Sequence, residues 1–302
     1  MSEPKIAFSD KHIYALPKGH RFPISKYKLV YEQLIYEGII QPYQAVDAGL
    51  CKEENILLAH SNNYWQKLKN HDLNEKEVRK IGLPINELSV ARARNSSQGT
   101  LFASEQALQF GLGLNLAGGT HHAFANHGEG FCILNDIAIA AHSVLKHHLV
   151  NKILIVDLDV HQGNGTAKIF EHQPEVFTFS MHGANNYPHH KERSDLDIEL
   201  AKGTGDNDYL QILENRLHTI LSSFKPDIIY YLAGVDVLGT DKLGTLNLSK
   251  NGCSKRDEII INKCKASNIP LVIVMGGGYS ERLADIVDAH CNTYRMAIEH
   301  YY

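Results

Sequence analysis

The stretch "KILIVDLDVHQGNG" (152–165) decides how this chain is read. Ile153, Leu154, Ile155 and Val156 form an unbroken apolar run, as in a parallel strand buried on both faces. The run then turns polar at every second position, with Asp157, Asp159 and His161 separated by Leu158 and Val160. Side chains alternate faces along a strand, so the pattern predicts three polar groups on one face and aliphatics on the other. Unpaired charge at a buried strand end is costly, so these carboxylates need a partner. Asp159 and His161, about 6.6 Å apart on an ideal strand, can converge on one metal ion at the ~2 Å distances of oxygen and imidazole ligands. Asp157, about 13 Å from His161 on the same ideal strand, is read as a carboxylate that orients another group. The competing reading is a solvated turn after an ordinary strand, with Asp as a local cap.

Four further apolar runs read as strands: "LGLNLAG" (112–118), "VFTFSMH" (176–182), "DIIYYLAG" (227–234) and "PLVIVMGGG" (270–278). Between and before them, apolar residues at helical spacing predict helices over 25–38, 135–149 and 208–224. A fourth helix is expected over 254–265, opened by a Ser254/Asp257 capping pattern. Alternating strands and helices predict an α/β fold, a parallel sheet with helices on both faces. Ligands in such folds sit beyond the carboxyl ends of the strands. Four of the five runs end in a polar or glycine-rich signature, "GGTHHA", "DLDVHQGNG", "AGVD" and "MGGGYS", which therefore converge on one rim. No repeat, low-complexity tract or long linker interrupts residues 1–302, and the chain is read as one domain.

Composition removes several function classes. Net charge is −4 with a pI near 6.5, so there is no general electrostatic footprint for nucleic acid. No apolar run reaches bilayer length and the start lacks a signal-peptide core, so a cytoplasmic location and no membrane span are expected. The five cysteines are scattered without a C-x-x-C pair, which argues against a disulfide framework or a thiolate zinc site. The adjacent pairs His147–His148 and His189–His190 read as solvated helix or loop residues.

Asp236, in "LAGVD", is alone an ordinary cap or turn residue. Beside Asp159 and His161 it completes a three-ligand set, and three protein ligands with an open position are the pattern of a catalytic zinc. An O,N,O set also suits Fe(II) or Co(II), with zinc the default. His121 and His122 follow Gly118 and Gly119. On a regular strand one would be buried and one exposed, whereas irregular backbone can aim both at one cavity as general base and general acid. Tyr279, in "GGGYS", reads either as a surface tyrosine or as a donor to a developing oxyanion. In "GEGFCILND" (128–136), Phe131 reads as an aromatic wall and Asp136 as a helix cap. With no Ser-centred nucleophile elbow and no reactive Cys, the parts point to metal-assisted hydrolysis.

In order along the chain, "KGHRFPISKY", "GGTHHA", "GFCILND", "DLDVHQGNG", "AGVDVLGTDKLG" and "GGGY" resemble the zinc-dependent histone deacetylases and their bacterial relatives. "DVHQGNGT" and "SKRDEII" look more like class IV members than class I. The resemblance covers nearly the whole chain. It implies the arginase–deacetylase fold, a single parallel sheet of about eight strands flanked by helices. It also implies zinc on Asp159, His161 and Asp236, tandem acid/base histidines at His121 and His122, and an oxyanion donor at Tyr279. Asp157 would support His121, and Asn164 would support His122. Gly130, Phe131 and Tyr187 would wall a tunnel for a lysine side chain, with Leu243 near its base, and Arg21 would face an inner channel. Asp157, Asp159, His161, Ser180 and Met181 resemble a structural potassium site. Asn164 departs from class I, which carries Asp there, so His122 is expected to be less basic. No acidic rim residue for gripping a substrate backbone is evident.

The implied reaction is hydrolysis of an Nε-acyl-lysine amide in a protein or peptide, of acetyl or longer acyl length. Three rivals stand beside it. One is a related enzyme acting on an acetylpolyamine or other small amide. Another is a dinuclear ureohydrolase of the same fold, since Asp236 and Asp241 resemble its paired aspartates, although Gln162 and Gly163 offer no bridging carboxylate. The third is a catalytically silent acyl-lysine binder.

Overall fold

The computed structural model describes residues 4–302. Among these residues eight strands form one all-parallel sheet: β1 (Ile6–Ala7), β2 (Ala45–Val46), β3 (Leu112–Asn115), β4 (Ile153–Asp157), β5 (Val176–Gly183), β6 (Leu196–Leu200), β7 (Ile228–Leu232) and β8 (Leu271–Val274). Their order across the sheet is β2-β1-β3-β8-β7-β4-β5-β6. Ten helices flank it: α1 (Lys26–Tyr36), α2 (Glu53–Ala59), α3 (Asn62–Asn70), α4 (Glu75–Ile81), α5 (Glu87–Phe110), α6 (Asp136–Lys146), α7 (Asn164–Phe170), α8 (Asp206–Phe224), α9 (Lys250–Ala266) and α10 (Leu283–Tyr301). This is the α/β architecture that the alternating pattern predicts.

The central strands are apolar because helices cover both faces. Every residue of β3, β4, β7 and β8 is buried. These four strands are neighbours in the sheet, although they span residues 112 to 274 in sequence. Their carboxyl ends carry the "GGTHHA", "DLDVHQGNG", "AGVD" and "GGGYS" loops, so topology alone gathers the four signatures on one rim.

Strands β1, β2 and β6 are not legible from periodicity. The first two have only two residues each, and β6 is a partly exposed strand at the sheet edge. The 24-residue helix α5 is hidden for a different reason. Its buried face is mostly small or polar, with Ser96, Thr100, Ala103 and Ser104 among its residues, and Val90 and Leu101 are its only buried large aliphatics. Small residues let its backbone approach β3 so closely that a Cβ on Gly113 would sit 1.7 Å from the Ala103 carbonyl oxygen. Helix α9 corrects the expected capping pattern. It begins at Lys250, capped by Ser249, whose hydroxyl accepts from the Gly252 amide at 2.9 Å, so Ser254 and Asp257 lie within the helix.

Candidate active site

Strand β4 ends at Asp157, which corrects the expectation of a polar face continuing along a regular strand. Residues 158 to 163 form an irregular loop held by the carboxylates themselves. The Asp159 amide donates to Asp157 Oδ1 at 3.2 Å, the His161 amide to Asp159 Oδ1 at 3.0 Å, and the Val160 amide to Asp236 Oδ1 at 2.9 Å. Folded this way, Asp159, His161 and Asp236 each present one ligand atom, all within 4.8 Å of one another, and all three residues are buried. His161 Nδ1 lies 2.9 Å from Asp159 Oδ1 and 3.2 Å from Asp236 Oδ2.

This donor set fits a metal cation. Asp236 Oδ2 is buried without a hydrogen-bond partner among the described residues. Burial and the neighbouring Asp159 charge push the Asp236 carboxyl up from its ordinary range. A cation in contact with both carboxylates would remove that penalty. The backbone leaves room for one, because a Cβ on Gly277 would lie 2.1 Å from Asp236 Oδ2 and 2.6 Å from Asp159 Oδ2. Asp241 lies outside the cluster. Its Oδ1 accepts from the Leu243 and Gly244 amides and its Oδ2 from the Tyr279 amide, so it holds the tyrosine loop rather than a second metal.

The tandem histidines share one cavity. Gly118 and Gly119 take φ of 80° and 76°, a left-handed conformation that turns the chain out of the sheet. Asp136 then fixes the loop by accepting from the Gly119 and Thr120 amides at 3.2 and 2.8 Å and from the Thr100 hydroxyl at 2.6 Å. It is therefore not the cap of α6; that role falls to Asn135, which accepts from the Ala138 amide at 3.0 Å. His121 and His122 are both buried, with ring centroids 4.1 Å apart. His121 Nδ1 lies 2.7 Å from Asp157 Oδ2, and His122 Nδ1 lies 2.7 Å from Asn164 Oδ1. Their environments push them apart. Burial disfavours charge on His121, but Asp157 and Asp159 outweigh it and raise the imidazole to about 9. Burial and the charges of His121 and His161 hold His122 well below its ordinary value.

Gly130, Phe131, Tyr187 and Leu243 line one cavity of about 410 Å³ that reaches His122, His161 and Tyr279. Its wall is strained backbone. Gly130 and Phe131 have φ of 55° and 66°, pinned by their amides to the Lys80 and Ile81 carbonyls at 3.2 and 2.7 Å. Glycine is required at 130, where a Cβ would come within 2.6 Å of His122 Cδ2. The Tyr187 ring stands edge-on to His122 at 4.9 Å, and the Tyr279 ring lies 6.4 Å from that of His161. The buried Lys26 ammonium donates to the Gly276 carbonyl at 2.7 Å and so braces the glycine run before Tyr279.

Several placements differ from expectation. Leu243 does not reach the inner pocket beside Asp159 and His161. It lies where the cavity meets an outer groove that also contains Arg21. Arg21 itself is exposed at that mouth, and the arginine of the inner pocket is Arg92, buried on α5 beneath the rings of Phe22 and Tyr27. Arg92 is hidden in the sequence because α5 is. His189, expected to be merely solvated, lines the mouth. Ser180 pairs in register with Asp157 across β4 and β5, with Met181 buried beside it, and Ser180 Oγ is hydrogen-bonded to His182 Nδ1 at 2.9 Å. Glu129 is absent from the residues that sequence reasoning singles out. It is a buried carboxylate one residue before Gly130, and its only sequence signal is a lone acid in a glycine-rich loop.

Comparison with known proteins agrees with this geometry. The histone deacetylase domain matches residues 20–294. An uncharacterized protein of Picosynechococcus sp. is 42% identical over 98% of this chain and 99% of its own length. Histone deacetylase 2 of Arabidopsis thaliana is 30% identical over 95% of this chain and 77% of its own. The crystal structure of an HDAC homolog complexed with SAHA superposes with a TM-score of 0.82 at 23% identity, covering 99% of this chain and 84% of that one, and so shares its fold. On the domain match and the sequence relatives together, the chain belongs to the histone deacetylase family.

Proposed function

We propose that this protein hydrolyses the amide of Nε-acyl-lysine in proteins or peptides, with zinc on Asp159, His161 and Asp236. The observation that carries the reading is the pair of buried histidines with unlike partners, Asp157 and Asn164, beside a buried two-carboxylate, one-imidazole cluster. A divalent cation bound there supplies a Lewis acid that polarises the acyl carbonyl and makes a water more acidic. His122, donating from Nδ1 to Asn164, turns the lone pair of Nε2 toward the cavity and takes a proton from the attacking water. The Tyr279 hydroxyl donates to the tetrahedral oxyanion. His121, kept protonated by Asp157, gives its proton to the leaving lysine amine as the C–N bond breaks. The products are the free amine and the carboxylic acid. In the same reading, a potassium ion beside Asp157 and Ser180 has a structural role.

The mouth favours acyl-lysine over an acetylpolyamine. Arg21, Arg79 and Lys80 line it, and none of the residues around that cavity is acidic. The Arg79 guanidinium donates from Nε to the Glu75 carbonyl, so its charge is not spent on a carboxylate. Lys80 is paired with Glu129, so the uncompensated positive charge a polycation meets at the mouth is that of Arg21 and Arg79.

The test is acid release by the zinc-loaded protein from acetyl- and longer acyl-lysine peptides and from acetylated polyamines. Turnover of at least one lysine peptide is expected, with kcat/KM at least about tenfold above any polyamine, or about 1.4 kcal/mol. Preferential turnover of polyamines would make this a small-amide hydrolase. No turnover of any substrate by the metal-loaded protein would make it a silent binder.

A further inference from the structure

The class I position that supports the second histidine carries Asn164 here, and an amide is ambiguous. It can face a histidine with its oxygen or with its NH₂, and the choice decides which ring nitrogen of His122 holds the proton. Something must fix the amide if His122 is to act through Nε2.

Glu129 stands in the place to do so. It is only 4% exposed, and its Oε1 lies 2.6 Å from Asn164 Nδ2. The Tyr187 hydroxyl donates to the same oxygen at 2.8 Å. On the other side, Oε2 is 2.5 Å from the Lys80 ammonium and 3.4 Å from His127 Nε2. Burial alone would raise this carboxyl, but hydrogen bonds from His127, Lys80, Asn164 and Tyr187 outweigh it and hold it ionised. An ionised carboxylate only accepts hydrogen bonds. Asn164 must therefore turn its NH₂ to Glu129 and its oxygen to His122, 2.7 Å from Nδ1. That nitrogen then carries the proton, and Nε2 keeps its lone pair.

We propose that Glu129 is a positioning residue: through Asn164 it locks His122 in the Nδ1–H tautomer and so presents a basic Nε2 to the cavity. The carboxylate withdrawn from position 164 is in effect moved one residue back along the chain of hydrogen bonds. It also joins the catalytic pair to the tunnel wall through Tyr187 and to the mouth through Lys80. The kinetic consequence rests on the hydrolase reading above; the tautomer itself does not.

A glutamine is poorly suited to position 129. Donors converge on both carboxylate oxygens there, so one end of the amide must face a donor with its own NH₂. The test compares Glu129→Gln, Asn164→Asp and the double variant that exchanges the two groups, each checked for folding by thermal unfolding. The first readout needs no substrate: ¹⁵N chemical shifts of the His122 ring, which separate the two tautomers. The parent should show protonated Nδ1 alone, and Glu129→Gln a mixture. With a substrate in hand, Glu129→Gln should lower kcat about tenfold with KM within twofold. Asn164→Asp alone should also lose activity, because it places two carboxylates in hydrogen-bond contact. In the exchanged variant the carboxylate introduced at position 164 accepts from His122 and from the amide introduced at position 129. That arrangement should restore the tautomer and recover kcat to within about threefold of the parent. Unchanged ring signals in Glu129→Gln would overturn the proposal, and so would an exchanged variant no better than the worse single one. Should no substrate be found, the hydrolase reading fails while the tautomer result still decides the role of Glu129.

Discussion

The Arg256 guanidinium donates from Nη1 to the Gly234 carbonyl oxygen at 2.5 Å, tying helix α9 to the loop that carries Asp236. The same nitrogen reaches the Leu158 carbonyl at 3.3 Å, next to Asp159, while Nε donates to Asp257 at 2.9 Å. Asp257 also accepts from the Tyr231 and Thr293 hydroxyls, so this buried carboxylate is well partnered. One side chain thus braces both loops of the metal cluster, which gives the "SKRDEII" segment a physical role. Lysine keeps the charge but lacks the planar fork that lets Nη1 reach both carbonyls while Nε holds Asp257. Arg256→Lys should weaken zinc binding roughly 10- to 100-fold, the range for groups that orient ligands. Chelator competition measures this, and an affinity equal to the parent's would refute the bracing role.

Gly277 tests the metal cradle from its open side. A methyl group there would press on both Asp236 Oδ2 and Asp159 Oδ2, at 2.1 and 2.6 Å. The glycine ends no strand, since β8 stops at Val274, so the substitution strains the loop rather than the sheet. Gly277→Ala should lower zinc content well below one per chain while the far-ultraviolet circular dichroism stays that of the parent. Stoichiometric zinc in a folded Gly277→Ala protein would show that the ion sits elsewhere.

Tyr279 lies on the cavity without being a member of the ligand cluster. Its amide is held by Asp241, so removing the hydroxyl leaves the loop in place. Tyr279→Phe should reduce kcat by about 10²–10³, the usual loss for one oxyanion donor. Zinc content should remain at the parent's value. A kcat within a factor of two would assign the hydroxyl no part in the reaction.

How much of the fold and site is legible in the sequence depends on whether a residue's reason for being there is local. Asp159, His161 and Asp236 are legible because two carboxylates and an imidazole at the ends of apolar strands are costly to bury without a shared cation. The central strands are legible because burial on both faces leaves an unbroken aliphatic run. Arg92 is not, since α5 packs through serine, threonine and alanine and shows no strong apolar stripe. Glu129 is not, because its partners Lys80, Asn164 and Tyr187 come from three separate segments and no spacing links them. The polar alternation of Asp157, Asp159 and His161 names residues that the structure brings together, but not in the geometry expected of a strand. The three meet through a loop that their own carboxylates fold, not along a strand face.

His60 provides a stability test away from the metal cluster. The ring is buried between the Phe124 carbonyl, to which Nδ1 donates at 3.0 Å, and the Asn135 amide, which donates to Nε2 at 2.9 Å. Both nitrogens are used by the neutral ring, and protonation would set Nε2–H against an N–H donor. Burial is the largest cause lowering its pKa to about 4, against 6.5 in the unfolded chain, and nearby His142 lowers it further. Between those values the unfolded state binds the extra proton. The stabilisation from a neutral His60 is therefore complete above pH 6.5 and is lost as pH falls toward 4, on the order of 3 kcal/mol across the window. His12, also buried and lowered to about 3, adds to the slope of the parent. His60→Gln should be less stable near neutrality yet flatter, with the slope of unfolding free energy against pH reduced by about 1.4 kcal/mol per unit between about pH 5 and 6. Urea unfolding at half-unit pH steps measures both slopes. Equal slopes would mean that His60 titrates in the folded protein as it does in the unfolded chain, and that the hydrogen bonds to Phe124 and Asn135 do not hold it neutral.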